Sequence, residues 1–409
     1  MKKLFLLLIF CTIAGFAQPF HKKIYTQIFV IPGDSLSSVF FLYKIPYQNL
    51  VFLKNENKYT AGLRLSLEVT DTISNFVKRE IKDWDIQTGL FESTNSSEVF
   101  AEGLVEINLP VGSYNILPIM TDRNSGEIKL EETRIDISDT NRVEPIILNS
   151  QKVKCSDEDF RQLTNFENSL PFGKKQHDFI IPVFDTSKEE ITVTVISQRD
   201  TVFNEIVRES FVSNISLTEC EGKILLVNKK EGLKTRNFVL TGITKKLKEG
   251  IFSILVNDDN KSKFKKNVLW YDKPVSLKNP EDAVKVLNNI EDEKVVDSLL
   301  NIEKLKIYNA LVDYWKKLDP TPATEYNELM NEFYSRVDYT QKNFGSITGI
   351  KGAESDRGKI FIKFGKPDKI ERGYNNKGKV IETWIYDKQN RRFVFIDSGG
   401  TGVFSLESS

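Results

Sequence analysis

The sequence predicts a mainly β fold: two antiparallel Ig-like β-sandwich domains, then a helical linker and a small α+β C-terminal module with an antiparallel sheet. Three observations predict it. Apolar and polar residues alternate in short runs before residue 273, and turn residues punctuate those runs. After Asn279 the apolar period lengthens to that of a helix, and near the C-terminus it returns to two. The boundaries that follow are a leader over 1–17, sandwiches over 18–143 and 144–273, helices over 274–345, and a sheet module over 346–409.

A length of 409 residues agrees with several domains. Lys plus Arg is 57 and Asp plus Glu is 57, a balance that speaks against a nucleic-acid binder. With 40% hydrophobic residues the chain can bury real cores. Two His and three Cys leave little material for metal or imidazole chemistry.

The N-terminus has the physics of a secretion signal. Lys2 and Lys3 precede an apolar run from Leu4 to Ala14, and Gly15-Phe16-Ala17 offers small residues for cleavage. The run is too short to span a bilayer, which takes about 20 residues. Cys11 would suit a lipid anchor, but Phe10 stands where a small residue is needed. Cleavage after Ala17 makes Gln18 the first mature residue. The mature protein is expected to be exported, periplasmic or outer-membrane-associated, and without a transmembrane segment. Cys155 and Cys220 are its two cysteines, and an oxidising compartment permits them one disulfide. Two buried free thiols are the alternative, and the sequence leaves both open.

In the first sandwich, strands are expected over Ile24–Pro32, Phe40–Tyr47, Gly62–Val69, Leu104–Leu109 and Tyr114–Ile119. Leu63, Leu65, Leu67 and Val69 alternate with Arg64, Ser66 and Glu68, the pattern of a half-buried strand. A turn over Asp122–Gly126 leads to two more strands ending at Ile137. In the second, Phe179–Phe184, Ile191–Ile196, Lys223–Val227, Phe238–Ile243 and Gly250–Val256 are the candidates. Asn279 then caps a helix, with Pro280 at its first position and Glu281 and Asp282 at its positive end. A longer helix is expected over Ile302–Leu318, with Tyr308, Val312, Trp315 and Leu318 on its apolar side. Pro320 and Pro322 end it, and Thr324 is expected to cap the next, whose stripe is Tyr326, Met330, Phe333 and Val337. From Lys359 the alternation of Ile360, Ile362 and Phe364 predicts a strand. Val380–Tyr386, Arg392–Ile396 and Val403–Leu406 supply three more.

Two stretches are more specific. One is Trp315-Lys-Lys-Leu-Asp319-Pro320-Thr321-Pro322-Ala-Thr324-Glu-Tyr-Asn327-Glu328, followed by Arg336. The other is Gly352-Ala-Glu-Ser355-Asp356-Arg357-Gly358, then Gly365-Lys-Pro367-Asp368 and Thr383-Trp384-Ile-Tyr386. In this order they resemble the GWxTD-domain family of bacterial envelope proteins, over roughly residues 268 to 409. That family carries a Trp-x-x-x-Asp-Pro-Thr-Pro helix end, a Gly-Trp-x-Thr-Asp-Arg-Gly segment and a Gly-x-Pro-Asp turn. Here Ala353 stands for its Trp and Ser355 for its Thr. The resemblance implies an envelope protein and brings no biochemical activity with it.

The motif residues read as structural or partner-binding. Asp356, Arg357 and Gly358 are expected to fix the start of a strand, with Gly358 supplying backbone freedom. Asp319 and Asn327 are expected to satisfy free backbone groups between helices. Glu328 and Arg336 are eight apart and open to an ion pair, while Trp315 and Trp384 read as core. Residues 351–392 hold 12 Lys or Arg against 6 Asp or Glu, a solvated basic face or a docking surface. No metal-binding or nucleophile motif stands out, and neither a catalytic residue nor a cofactor is assigned. The sequence thus points to a non-catalytic interaction or scaffolding protein whose partner is an envelope protein or glycan. The alternative is an envelope hydrolase that uses a pair of carboxylates.

Overall fold

A computed structural model describes residues 24–138, 143–257, 259–345, 349 and 351–408. The leader, with Ala17 and Gln18, lies outside the described residues. The chain divides into two compact units, residues 1–140 with 221–224, and residues 141–220 with 225–409.

The first unit runs β1 (Tyr25–Ile31), β2 (Ser37–Pro46), β3 (Leu53–Asn55), β4 (Lys58–Asp71), β5 (Phe76–Thr88), the short α1 (Phe91–Thr94), β6 (Phe100–Leu109), β7 (Gly112–Asp122), β8 (Gly126–Lys129) and β9 (Thr133–Ile137). One sheet is β1-β2-β6. The other is built on β4, which pairs with β3, β5 and β7, while β8 and β9 pair with β7. Leu63, Leu65, Leu67 and Val69 are buried, as their alternation requires, in one core with Val39, Phe41 and Ile107. Each such side chain contributes roughly 1.5–3 kcal/mol by leaving water. Asp122 builds its turn from a buried carboxylate that accepts from the amides of Val51 and Asn124, both at 2.9 Å, and from Ser125 Oγ at 2.8 Å.

The second unit opens with β10 (Ile146–Cys155), β11 (Glu158–Leu163), β12 (Ser169–Pro171), β13 (His177–Val183), β14 (Ile191–Ser197), β15 (Asp200–Val207), β16 (Ser210–Cys220), β17 (Lys223–Lys229), β18 (Thr235–Leu240), β19 (Gly250–Val256) and β20 (Asp259–Leu269). Six of these close into a ring, β10-β11-β17-β16-β18-β13, and five form a sheet, β12-β20-β19-β14-β15. Antiparallel pairing prevails; β12 runs parallel to β20. Phe179, Val193, Phe238 and Ile254 fill the space between. Cys155 and Cys220 end β10 and β16 and are disulfide-bonded, their Cα atoms 6.3 Å apart. Closing a loop with a separation of 65 residues restricts the unfolded chain by about 4 kcal/mol in the chain-entropy account.

Helices follow: α2 (Pro280–Lys285), α3 (Glu293–Leu300), α4 (Ile307–Lys317), α5 (Glu328–Asn343) and α6 (Asp356–Phe364). The chain ends in the antiparallel sheet β21 (Lys369–Tyr374), β22 (Val380–Tyr386), β23 (Arg391–Asp397) and β24 (Ser405–Ser408). Asn279 caps α2 as expected, accepting from Asp282 N.

Three expectations are corrected here. The helix expected over Ile302–Leu318 is α4 alone, preceded by α3, and its buried stripe is Ile307, Leu311 and Trp315. Val312 and Leu318 are 37% and 44% exposed; the buried face is turned toward Ile307 and Leu311, and the expected set shares only Trp315 with it. Thr324 is not the cap of α5; Asn327 is. The strand expected from Lys359 is α6. Ser355 caps it, and Phe361 and Ile362 are buried side by side, which a strand facing one core would not allow. No helix among the described residues is long and apolar enough to cross a membrane.

Candidate functional site

The motif residues form three joints. The first ties α4 to α5. Trp315 is buried against Phe333 and Tyr334, ring centroids 5.1 and 5.9 Å away. Asn327 serves both helices: Oδ1 accepts from Met330 N at 2.9 Å, and Nδ2 donates to the Trp315 carbonyl at 2.7 Å. In the loop between them, Asp319 Oδ1 accepts from Thr321 N at 2.8 Å, and Thr324 N donates to the Thr321 carbonyl at 2.9 Å. Pro320 and Pro322 bring no amide hydrogen that needs a partner there.

The second joint ties α5 to α6. Arg336 Nη1 donates to the Ile362 carbonyl at 3.0 Å, at the end of α6 where carbonyls lack helical partners and the dipole is negative. Its Nη2 pairs with Glu332, whereas Glu328 pairs with Lys174 at 3.0 Å. The Glu328–Arg336 ion pair that the spacing left open is therefore not formed. Gly365 ends α6 at φ 80°, a conformation that favours glycine, and its carbonyl accepts from Tyr386 Oη at 2.8 Å.

The third joint fastens α6 to the sheet. Gly352 N donates to Gln341 Oε1 at 3.0 Å. Ser355 Oγ accepts from Gly358 N at 3.0 Å and donates to the Gly352 carbonyl at 2.7 Å. Asp356 Oδ2 accepts from Leu406 N at 2.9 Å. The Arg357 guanidinium lies 4.1 Å from the Phe404 ring centroid, donates to the Gly402 carbonyl at 3.3 Å, and faces Glu382 at 3.6 Å. Burial pulls the Arg357 pKa down while Glu382 opposes it. Buried Glu382 also accepts from Arg372 Nε at 2.9 Å and from Trp384 Nε1 at 2.7 Å. Past Pro367, Asp368 Oδ2 accepts from Asp387 N at 2.8 Å. Asp356 and Arg357 thus bond as expected in kind, but they hold a helix rather than start a strand. Gly358 is needed for a different reason: a Cβ there would lie 1.9 Å from the Gly352 carbonyl oxygen.

The first two joints, and all of the third but Gly402, Phe404 and Leu406, fall within the stretch that a protein-family comparison picks out: the GWxTD domain model matches residues 250–400. The C-terminal third is a GWxTD domain. The match begins at β19, upstream of the motifs. No curated protein matches the chain. Among solved structures it is similar to "Crystal structure of lysenin pore" at 10% identity, over 54% of this chain and 95% of that one. The TM-score is 0.11, too low to carry an argument.

Beside the first joint of the GWxTD domain a cleft of about 470 Å³ opens. Asp319, Thr324 and Asn327 border it on the motif side, Tyr308, Asp313 and Lys316 line it from α4, and Phe172, Gln198 and Lys248 reach it from the β-rich part of the unit. Lys273 Nζ sits 4.7 Å from the Tyr308 ring centroid and pairs with Glu249 at 2.8 Å. Burial disfavours its charge, but Glu249 and Tyr308 outweigh burial and hold its pKa above the ordinary lysine value. Tyr326, next to the rim, is pushed up to about 12 by burial, with Asp272 and Glu328 adding. Among the described residues no cluster of His, Cys, Asp and Glu could hold a metal ion.

The apolar pattern places Tyr308 and Val312 on the buried side of α4; in the structure both line the cleft. The charge of Lys316, on the same stripe as Tyr308 and Val312, was the available signal that this face is not buried. For Phe172, Gln198 and Lys248 there was none, because they lie far from the motifs in sequence.

Proposed function

We propose that this is an exported cell-envelope protein that binds a partner through the cleft beside the Asp319–Asn327 loop of the GWxTD domain and performs no chemistry on it. The observation that carries the reading is the division of labour around Asn327. The motif's polar groups are spent on backbone amides and carbonyls of the joints, while a roomy cleft with aromatic, carboxamide and charged walls opens next to them. Clefts of that size and lining are where ligands bind. The lysine start, apolar run and Gly-Phe-Ala end of the leader support export.

The rival reading, a carboxylate-pair hydrolase, would have to draw on acids of the same cleft such as Asp313 and Glu325. Affinity capture from the native envelope separates the two. Asp313→Lys with Lys316→Glu alters two exposed cleft residues. It should abolish capture while leaving the melting curve in place. A partner retained undiminished by that variant would remove the cleft from consideration. A captured component cleaved by wild type but not by Asp313→Asn or Glu325→Gln would favour the hydrolase. Sequencing of the exported form should begin at Gln18; recovery of the protein only in the cytoplasm, starting at Met1, would end the export half of the proposal.

A further inference from the structure

β5 is a 13-residue strand paired with β4 apart from a bulge at Val77, and among the described residues no strand pairs with its other edge. Phe76, Val77 and Ile81 are 65%, 41% and 56% exposed along it. A long edge with exposed apolar residues is a template for another strand. Its charges decide which strand. In a two-fold antiparallel pair centred on residue c, residue i faces residue 2c−i of the copy, so like charges meet unless the sequence reverses sign about c.

β5 reverses sign about Ile81. With the axis there, the regular stretch beyond the bulge at Val77 sets Lys78 opposite Trp84, Arg79 opposite Asp83, Glu80 opposite Lys82, and Ile81 opposite its own copy; no like charges meet. An axis at Glu80 or Lys82 sets two like charges on the two-fold. The β4 ladder extends the match. Glu68 lies opposite Arg79, and Arg64 lies opposite Asp83 and pairs with it at 2.8 Å. Across the axis the row would therefore read Glu68, Arg79, Asp83, Arg64, alternating in sign through four strands. Cross-strand pairs of opposite charge and of apolar residues are the unit of sheet stabilisation.

We infer that two copies of this chain pair antiparallel through β5, about a two-fold axis at Ile81, into one continuous sheet. The surface is isologous, as a two-fold interface must be, and it is independent of the cleft. Sedimentation of the full mature chain across a concentration series should show a dimer. Ile81→Lys places two ammonium groups on the axis at an exposed position, and should give a folded monomer whose melting temperature no longer depends on protein concentration. Ile81→Cys should form a chain-to-chain disulfide under mild oxidation, since facing Cβ atoms in such a pair lie within about 4.5–5.5 Å. Val77→Cys, which sits on the bulge four residues from the axis and does not face its copy, should not. A wild type that is monomeric throughout, a dimer undisturbed by Ile81→Lys, or equal cross-linking at positions 77 and 81 would overturn the inference. So would a different protein cross-linked at position 81 in place of a second copy.

Discussion

Gly358 stands in the first turn of α6, a place where alanine is ordinarily better than glycine by roughly 0.5–1 kcal/mol. Here the sign should reverse. A Cβ would lie 1.9 Å from the Gly352 carbonyl oxygen, and that same carbonyl accepts from the Ser355 hydroxyl that caps the helix. Backbone cannot move aside as a side-chain end can, so Gly358→Ala should destabilise by about 1–3 kcal/mol, the usual cost of overpacking. Urea unfolding of the pair checks it, and an equal or raised midpoint would refute the contact. The sequence marked Gly358 as special but for the wrong property, since backbone freedom is a local idea and the actual constraint is a close approach from six residues away. Ala353 shows the same limit. It stands where the family has Trp, and it is buried in the core that holds Trp315 and Ile362. Position 353 is thus a packing position in this chain, which its sequence neighbours did not announce.

Between elements, the caps differ in how much each one holds. Asn279 caps α2 at 3.4 Å from an exposed position. Asn327 caps α5 at 2.9 Å and also ties the Trp315 carbonyl at 2.7 Å. A cap alone is worth about 1 kcal/mol, so Asn327→Ala should cost about 2 kcal/mol and Asn279→Ala clearly less; equal losses in denaturant titration would mean the second bond is idle. The loop before β24 adds a pH dependence. Asp397 accepts from the amides of Gly402 at 2.7 Å and of Thr401 and Gly399 at 3.2 Å each, and this holds its pKa below the ordinary aspartate value of 3.8. A depressed folded pKa means stability that is whole above the unfolded value and lost as pH falls through the folded one. Wild type should therefore exceed Asp397→Asn in stability near neutral pH, and the gap should close in acid. A gap constant with pH would exclude the carboxylate. The Pro280 start and the Met330, Phe333, Val337 stripe of α5 were legible in the sequence because cap and period agree there. The α6 segment was not, because Ile360, Ile362 and Phe364 also satisfy a period of two, and only the Ser355 cap arbitrates. β5 escaped notice because an exposed edge strand has no need of an apolar face.

For the whole molecule, what matters is where one cooperative unit ends. The change of texture near Asn279 is a real change of secondary structure, and it suggests a cut between sandwich and helices. Packing within the second unit does not respect that cut. Phe172, just after β12, meets Trp270 and Tyr326 at centroid distances of 5.4 and 5.3 Å, and Trp270 meets Tyr326 at 5.7 Å. Lys273 with Glu249 and the Glu325 amide with the Lys245 carbonyl, both at 2.8 Å, cross the same seam. Composition registers which residues are present, not which core they share. A fragment beginning at Trp270 would leave Trp270 and Tyr326 without the Phe172 ring. Losing a partly buried phenylalanine costs about 2–4 kcal/mol, a large share of the 5–15 kcal/mol that holds a typical domain together. The fragment 270–409 should therefore unfold at a distinctly lower urea concentration than the fragment 141–409, and Phe172→Ala in the longer fragment should recover much of the difference. If the two fragments share one midpoint and Phe172→Ala is silent, the three rings touch without coupling, and the cut drawn from composition is the physical one.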